Sequence, residues 1–120
     1  MRFAGESLNF GAEQSKLNHV QNAVVHITGN TTGSSPGVEF LDYVEPDDGR
    51  AFPEDTRVDD LISWEIIYTT TDVAGLRKKL KDSGARLISD DVIDMGSHFP
   101  YRRGFYVRDP DGHLVGIFQQ

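Results

Sequence analysis

The side chains able to do chemistry in this 120-residue chain are carboxylates and imidazoles: nineteen Asp and Glu, four His and no Cys. That set excludes thiol nucleophiles, disulfides and thiolate zinc sites. It leaves acid–base work and oxygen or nitrogen ligation of a metal. His26 stands between Val25 and Ile27 in an apolar strand, and His98 stands in Gly96-Ser97-His98-Phe99-Pro100, just before Tyr101, Arg102 and Arg103. These two are the histidines expected to reach a ligand. His19, ahead of a strand, and His113, directly after Gly112, read as surface residues. An ordinary structural role competes for all four. The formal net charge is −7, and the single basic cluster is Arg77, Lys78, Lys79 and Lys81. It reads as the solvated face of a helix, so no nucleic-acid partner is expected, because such a partner requires a concentrated basic surface.

The elements that must position these groups follow from periodicity and turn chemistry. Asp72 is a helix N-cap, with Val73, Leu76 and Leu80 forming an apolar stripe behind it and Gly84 suited to the stop. The helix is predicted over Asp72 to Ser83. Strands are predicted at Trp64 to Thr71, Arg86 to Ser89 (with Val92-Ile93 as an extension), Gly104 to Arg108 and His113 to Phe118. Asp109-Pro110-Asp111-Gly112 is a turn joining the last two, since proline presets one angle and glycine accepts a positive φ. Ahead of these lie strands at Arg2 to Phe10, Ala23 to Thr28 and Val38 to Val44, with a turn near Ala12 to Leu17 and a polar loop at Asn30 to Gly37. Glu45 to Asp60, rich in acid and proline, reads as an irregular connection. No apolar run approaches the ~20 residues that span a bilayer. The N-terminus lacks the order of a signal peptide. A cytoplasmic location with no membrane partner is expected, in keeping with the missing cysteines.

The order strand, helix, three strands, closing on Phe105-Tyr106-Val107-Arg108-Asp109-Pro110-Asp111-Gly112-His113-Leu114-Val115-Gly116-Ile117-Phe118, resembles the vicinal-oxygen-chelate superfamily. That superfamily covers glyoxalase, bleomycin-resistance and dioxygenase proteins built from paired βαβββ modules. The resemblance implies an α+β fold: a complete second module at 63–120, a linker at 47–62, and at 1–46 three strands of an incomplete sister module. Gly37 to Pro46 resembles a final module strand, and the first strand and helix of that module have no counterpart. A start displaced from the natural one, or a short protein whose sheet is completed by a partner chain, would each explain this.

Family members hold a divalent metal with four inward residues, His or Gln on each first strand and usually Glu on each last strand. Carried over by position, the resemblance assigns Glu39, Glu65 and Gly116, the fourth position lying on the missing strand. Two carboxylates and a glycine do not make the family site, so no metal and no cofactor is expected. The alternative is a divalent metal held through Glu39 and Glu65. Either carboxylate could instead polarise a ligand or act as a general base; the competing reading is a polar strand residue with local partners. Strand alternation puts Ile67 and Thr69 with Glu65, Leu114 and Phe118 with Gly116, and Leu41 and Tyr43 with Glu39. With His26, His98 and Tyr101 they form the candidate ligand-binding set, a mostly apolar, partly aromatic surface suited to a small molecule. Gly116 is expected to leave open space, and the competing reading is a filled core.

The expected function is binding of a small, mostly apolar or aromatic molecule in a curved-sheet cavity, with Glu39 or Glu65 as the acid–base groups if the protein is an enzyme. Two alternatives stand beside it: a metal-dependent lyase, isomerase or dioxygenase completed by another chain, and a degenerate module acting only in self-association. A homodimer is expected, since an unpaired sheet edge invites a second copy.

Overall fold

The computed structural model describes residues 1–31 and 37–119, so most of the Asn30 to Gly37 loop lies outside the described residues. The chain divides into a unit at Met1–Arg50 and a unit at Ala51–Gln120. The first contains β1 (Arg2–Phe10), α1 (Ala12–Asn18), β2 (Val24–Thr31) and β3 (Val38–Glu45). Its strands form an antiparallel sheet in the order β1-β2-β3. Where the sequence suggested only a turn, Ala12–Asn18 makes a short helix. Gly11 precedes it without a side-chain cap, and His19 ends it in the left-handed region at φ 54. Ala23 and Val25, at 1% and 0% exposure, are the buried apolar residues of this unit.

The second unit contains β4 (Glu65–Thr70), α2 (Val73–Asp82), β5 (Arg86–Leu87), β6 (Ile93–Asp94), β7 (Arg103–Arg108) and β8 (Leu114–Gln119). The sheet order is β4-β8-β7-β5, with β6 also paired to β7. β4 runs parallel to β8 and the other pairs are antiparallel. This is the strand-helix-three-strand unit expected from the sequence, with the first strand after the helix broken into the two short pieces β5 and β6. α2 begins where Asp72 accepts a hydrogen bond from the Gly75 N–H at 2.9 Å, and it gives way at Gly84, φ +83. Its Val73, Leu76 and Leu80 pack on Phe105, Val107, Val115 and Ile117, which form one face of the sheet. Arg77 turns from solvent to bond the Ser89 and Asp90 carbonyls, and Lys78 pairs with Asp82 at 2.5 Å. Two of the four residues of the basic cluster are therefore spent locally.

The β7–β8 hairpin closes on Asp109 to Gly112 as its turn chemistry requires, Gly112 taking φ +101. A side chain at Gly112 would also crowd Phe52, 3.0 Å from the built Cβ position. The approach to β4 is irregular but anchored. Thr56 is buried, and its carbonyl accepts from Arg108 Nη2 at 2.6 Å. Phe52 lies edge-on to the His113 ring, and Trp64 lies tilted against the same ring with centroids 4.9 Å apart. Among the described residues no helix is long and apolar enough to cross a membrane.

Candidate functional site

α2 covers one face of the second sheet, so function must be sought on the other. Register defines that face residue by residue. Glu65 lies beside Leu114, Ile67 beside Gly116 and Thr69 beside Phe118. Across the hairpin, Leu114 opposes Arg108, Gly116 opposes Tyr106 and Phe118 opposes Gly104. Glu65, Ile67, Thr69, Leu114, Gly116 and Phe118 therefore share the side that alternation assigned to them. Glu65 and Thr69 are exposed and Ile67 is 43% exposed, whereas Leu114 and Phe118 are buried.

Tyr106 is the residue that sequence reasoning missed. Its phenol feels the charge of the Glu65 carboxylate on the same face. Burial first, and then the neighbouring Glu65 carboxylate, push the Tyr106 hydroxyl up to about 12, so it stays protonated at neutral pH. The backbone beneath it is held firmly. The Tyr106 N–H donates to Ser89 Oγ at 2.9 Å, and its carbonyl accepts from the Ile88 N–H at 2.9 Å.

Aromatic rings continue the surface away from this pair. Tyr106 meets Phe118 edge-on with centroids 5.6 Å apart, and Phe118 stacks on Tyr101 at 4.9 Å with 20° between planes. Phe118 can lie flat because two glycines sit under it. A Cβ on Gly104 would fall 2.1 Å from Phe118 Cδ1, and one on Gly116 would fall 2.6 Å from Phe118 Cε2. This corrects the expectation of open space above Gly116. The volume there belongs to Phe118, Tyr106 and Ile67.

At the other end of the face Arg108 is 5% exposed. Its guanidinium donates to the Thr56 and Gly112 carbonyls and lies 5.8 Å from the Phe52 ring centroid. His98 is exposed in the turn before Tyr101, and no contact among the described residues ties it to this face.

The first unit carries the remaining candidates. Glu39, Leu41 and Tyr43 share a face with Val25 and Ile27, as alternation expects. Asn18 of α1 donates to the Tyr43 hydroxyl. His26 lies opposite Asp42 and Leu8 on the other side of that sheet, its Nε2 3.3 Å from Glu6 Oε2. His26 and Glu39 therefore do not line one concavity, which corrects their grouping as a single ligand-binding set.

Asp109, Asp111 and His113 bring ligand-type atoms within 4.8 Å of one another at the hairpin tip. The Asp109 carboxylate is already used there. It accepts from the Asp111 N–H at 3.0 Å and the His113 N–H at 2.8 Å, and lies 3.1 Å from His113 Nδ1. It fastens a turn.

A family-type metal does not fit the second unit's face. Of its two assigned ligand positions, Gly116 offers no donor and its space is filled by ring atoms, which leaves Glu65 alone.

Comparison with models of protein families finds no match, and comparison with curated proteins finds none. Among solved structures, the chain is similar to a glyoxalase family protein from Bacillus cereus. That match has a TM-score of 0.81 and 19% identity, and covers 98% of this chain and 76% of that one. The fold is therefore the glyoxalase-like α+β fold that the strand and helix order indicated.

Proposed function

We propose, from this shared fold and the chemistry of the open face, that the protein binds a small, mostly apolar or aromatic molecule without the family metal. The observation that carries the reading is the continuous run Glu65, Tyr106, Phe118, Tyr101. It sets one exposed carboxylate on the same sheet face as a run of aromatic rings, the face that α2 leaves free. An apolar wall with few, placed polar groups is how small-molecule sites combine affinity with orientation. Ile67 supplies the exposed apolar surface through which a ligand meets that wall. If chemistry follows binding, Glu65 is the group able to take a proton and Tyr106 the group able to hold it in place.

Thermal shift across a panel of aromatic and aliphatic molecules tests this, since a ligand at ~100 times its Kd stabilises the native state by ~2.7 kcal/mol. A raised midpoint is expected in the native protein and no shift in Ile67→Asp. No shift from any molecule at saturating concentration would overturn the reading. Metal analysis of the purified protein belongs beside it, and a stoichiometric divalent ion would contradict the metal-free part.

Self-association in the cytoplasm completes the proposal. Leu8, Phe10 and Phe40 are 54%, 68% and 47% exposed on one face of the first sheet. A second copy would remove such apolar surface from water. A monomer by light scattering at tens of micromolar contradicts this part.

A further inference from the structure

We propose that the ligand of the second-unit face carries a carboxylate, which Arg102 receives while an apolar or aromatic body lies against Tyr101 and Ile93. This deepens the binding reading above and rests on it. Arg102 continues the strand pairing ahead of β7. Its N–H donates to the Gln119 carbonyl at 3.1 Å, and its own carbonyl accepts from the Met95 N–H at 2.9 Å. Alternation therefore sets its side chain with Gly104 and Tyr106, on the face that α2 leaves free. That side chain is exposed and has no hydrogen bond or ion pair among the described residues. The acid on β6 does not neutralise it. Asp94 lies opposite Arg103, with Oδ1 3.7 Å from Arg103 Nε, and Arg103 alternates onto the α2 side with Phe105 and Val107.

Apolar surface stands beside this cation. Ile93, 48% exposed, opposes Gly104 from one neighbouring strand, and Phe118 opposes it from the other. Phe118 is buried in its stack with Tyr101, so Tyr101 and Ile93 are the surfaces that a ligand meets. The remaining charges of the face lie at its far end. Arg86 and Leu114 both oppose Arg108, and Glu65 lies beside Leu114, so these four share one row. From Arg102 to that row is ~20 Å of strand, well beyond the ~8 Å Debye length of physiological salt. Glu65 therefore does not repel an anion at Arg102, and Arg86 does not assist one. A guanidinium suits the position, since its planar fork matches a carboxylate and it is weakly hydrated beside apolar groups.

Two probes of similar shape, 2-naphthoate and the neutral 2-naphthylmethanol, test the charge preference. Each is titrated into the native chain, Arg102→Gln, Arg102→Lys and Arg86→Gln, and the Kd is read from amide chemical shifts. The naphthoate is expected to bind the native chain about fivefold more tightly than the alcohol, shifting the Ile93 and Gly104 amides most. Arg102→Gln should bring the two probes to within about twofold. Arg102→Lys should keep an advantage of about two- to threefold, because an ammonium attracts the anion without the fork. Arg86→Gln removes the same charge from the far row and should leave the fivefold advantage intact.

Equal binding of the two probes to the native chain overturns the carboxylate reading. So does an advantage that survives Arg102→Gln or disappears in Arg86→Gln. In each of these cases binding of the alcohol still upholds the site itself. Failure of both probes to shift any amide of this face would instead count against the site.

Discussion

The two units share a three-strand antiparallel pattern, but they differ in what is built around it. In the second, β4 adds a parallel strand beside β8 and α2 seals one face, so Val73, Phe105, Val107 and Ile117 form a dry cluster. The first has no strand beside β3 among the described residues, and its helix is one of seven residues. Its buried apolar set is Ala23 and Val25, while Phe3, Leu8, Phe10 and Phe40 stay exposed on its strands. The lesson is that a strand-and-helix pair added to a meander yields both a core on one side and an undisturbed surface on the other. A site needs both, because its residues must be held from behind.

Core truncation gives the largest test of that contrast. Phe105 is 1% exposed under α2, so Phe105→Ala should cost ~3–5 kcal/mol in chemical denaturation. In protein dilute enough to be monomeric, Phe10→Ala, at a residue 68% exposed, should change stability by less than ~0.5 kcal/mol. Comparable costs in that monomer would blur the contrast, whereas a Phe10 cost that appears only at higher protein concentration would report a second copy covering this face.

A smaller effect is expected where the free face is assembled. Gly104→Ala places a methyl 2.1 Å from Phe118 Cδ1 and 2.9 Å from the Ile117 carbonyl, and the backbone atom has little freedom to retreat. Overpacking of this kind should cost ~1–3 kcal/mol and displace Phe118 from Tyr101. Near-ultraviolet circular dichroism reads the displacement and denaturation reads the cost. An unperturbed aromatic spectrum would show that the ring does not rest on the glycine.

The smallest effect concerns Tyr106 and appears only at high pH. Its folded pKa of about 12 exceeds the ordinary value of 10, so the folded state keeps a proton that the unfolded chain releases. That contribution to stability is fully present below pH ~10 and is lost as pH rises towards ~12. Ultraviolet titration should show a late-ionising tyrosine that disappears in Tyr106→Phe. In Glu65→Gln the same tyrosine should ionise earlier, because the carboxylate's charge no longer opposes phenolate. An unchanged titration in Glu65→Gln would break the link between the two residues.

Much of this arrangement was legible in the sequence, for definite reasons. Asp72, the apolar stripe and Gly84 announced α2 because capping and helical period are local properties. Period two placed Glu65, Ile67 and Thr69 on one side of β4. Tyr106 was within reach as well: the Asp109 to Gly112 turn sets the hairpin register, and that register opposes Tyr106 to Gly116. What period two could not reveal is a side chain leaning along its strand, as Phe118 does over Gly116, because that depends on the glycine across the sheet. α1 was missed for a different reason. Gly11 supplies no capping side chain, and the left-handed stop falls on His19, where glycine or asparagine would have signalled it. The docking of residues 51–62 was missed because it depends on Arg108 reaching Thr56 across more than fifty positions of chain.

That last contact has a chemical consequence. Arg57 with Asp59 and Lys78 with Asp82 are held by exposed carboxylates, whose attraction water and salt screen. Arg108 is fastened to carbonyl oxygens, which do not titrate, by a guanidinium that keeps its charge throughout the working range. The strap leading into β4 therefore has a buckle of largely buried, neutral acceptors that salt and acid do not undo, and the chain entering the strand that carries Glu65 stays moored.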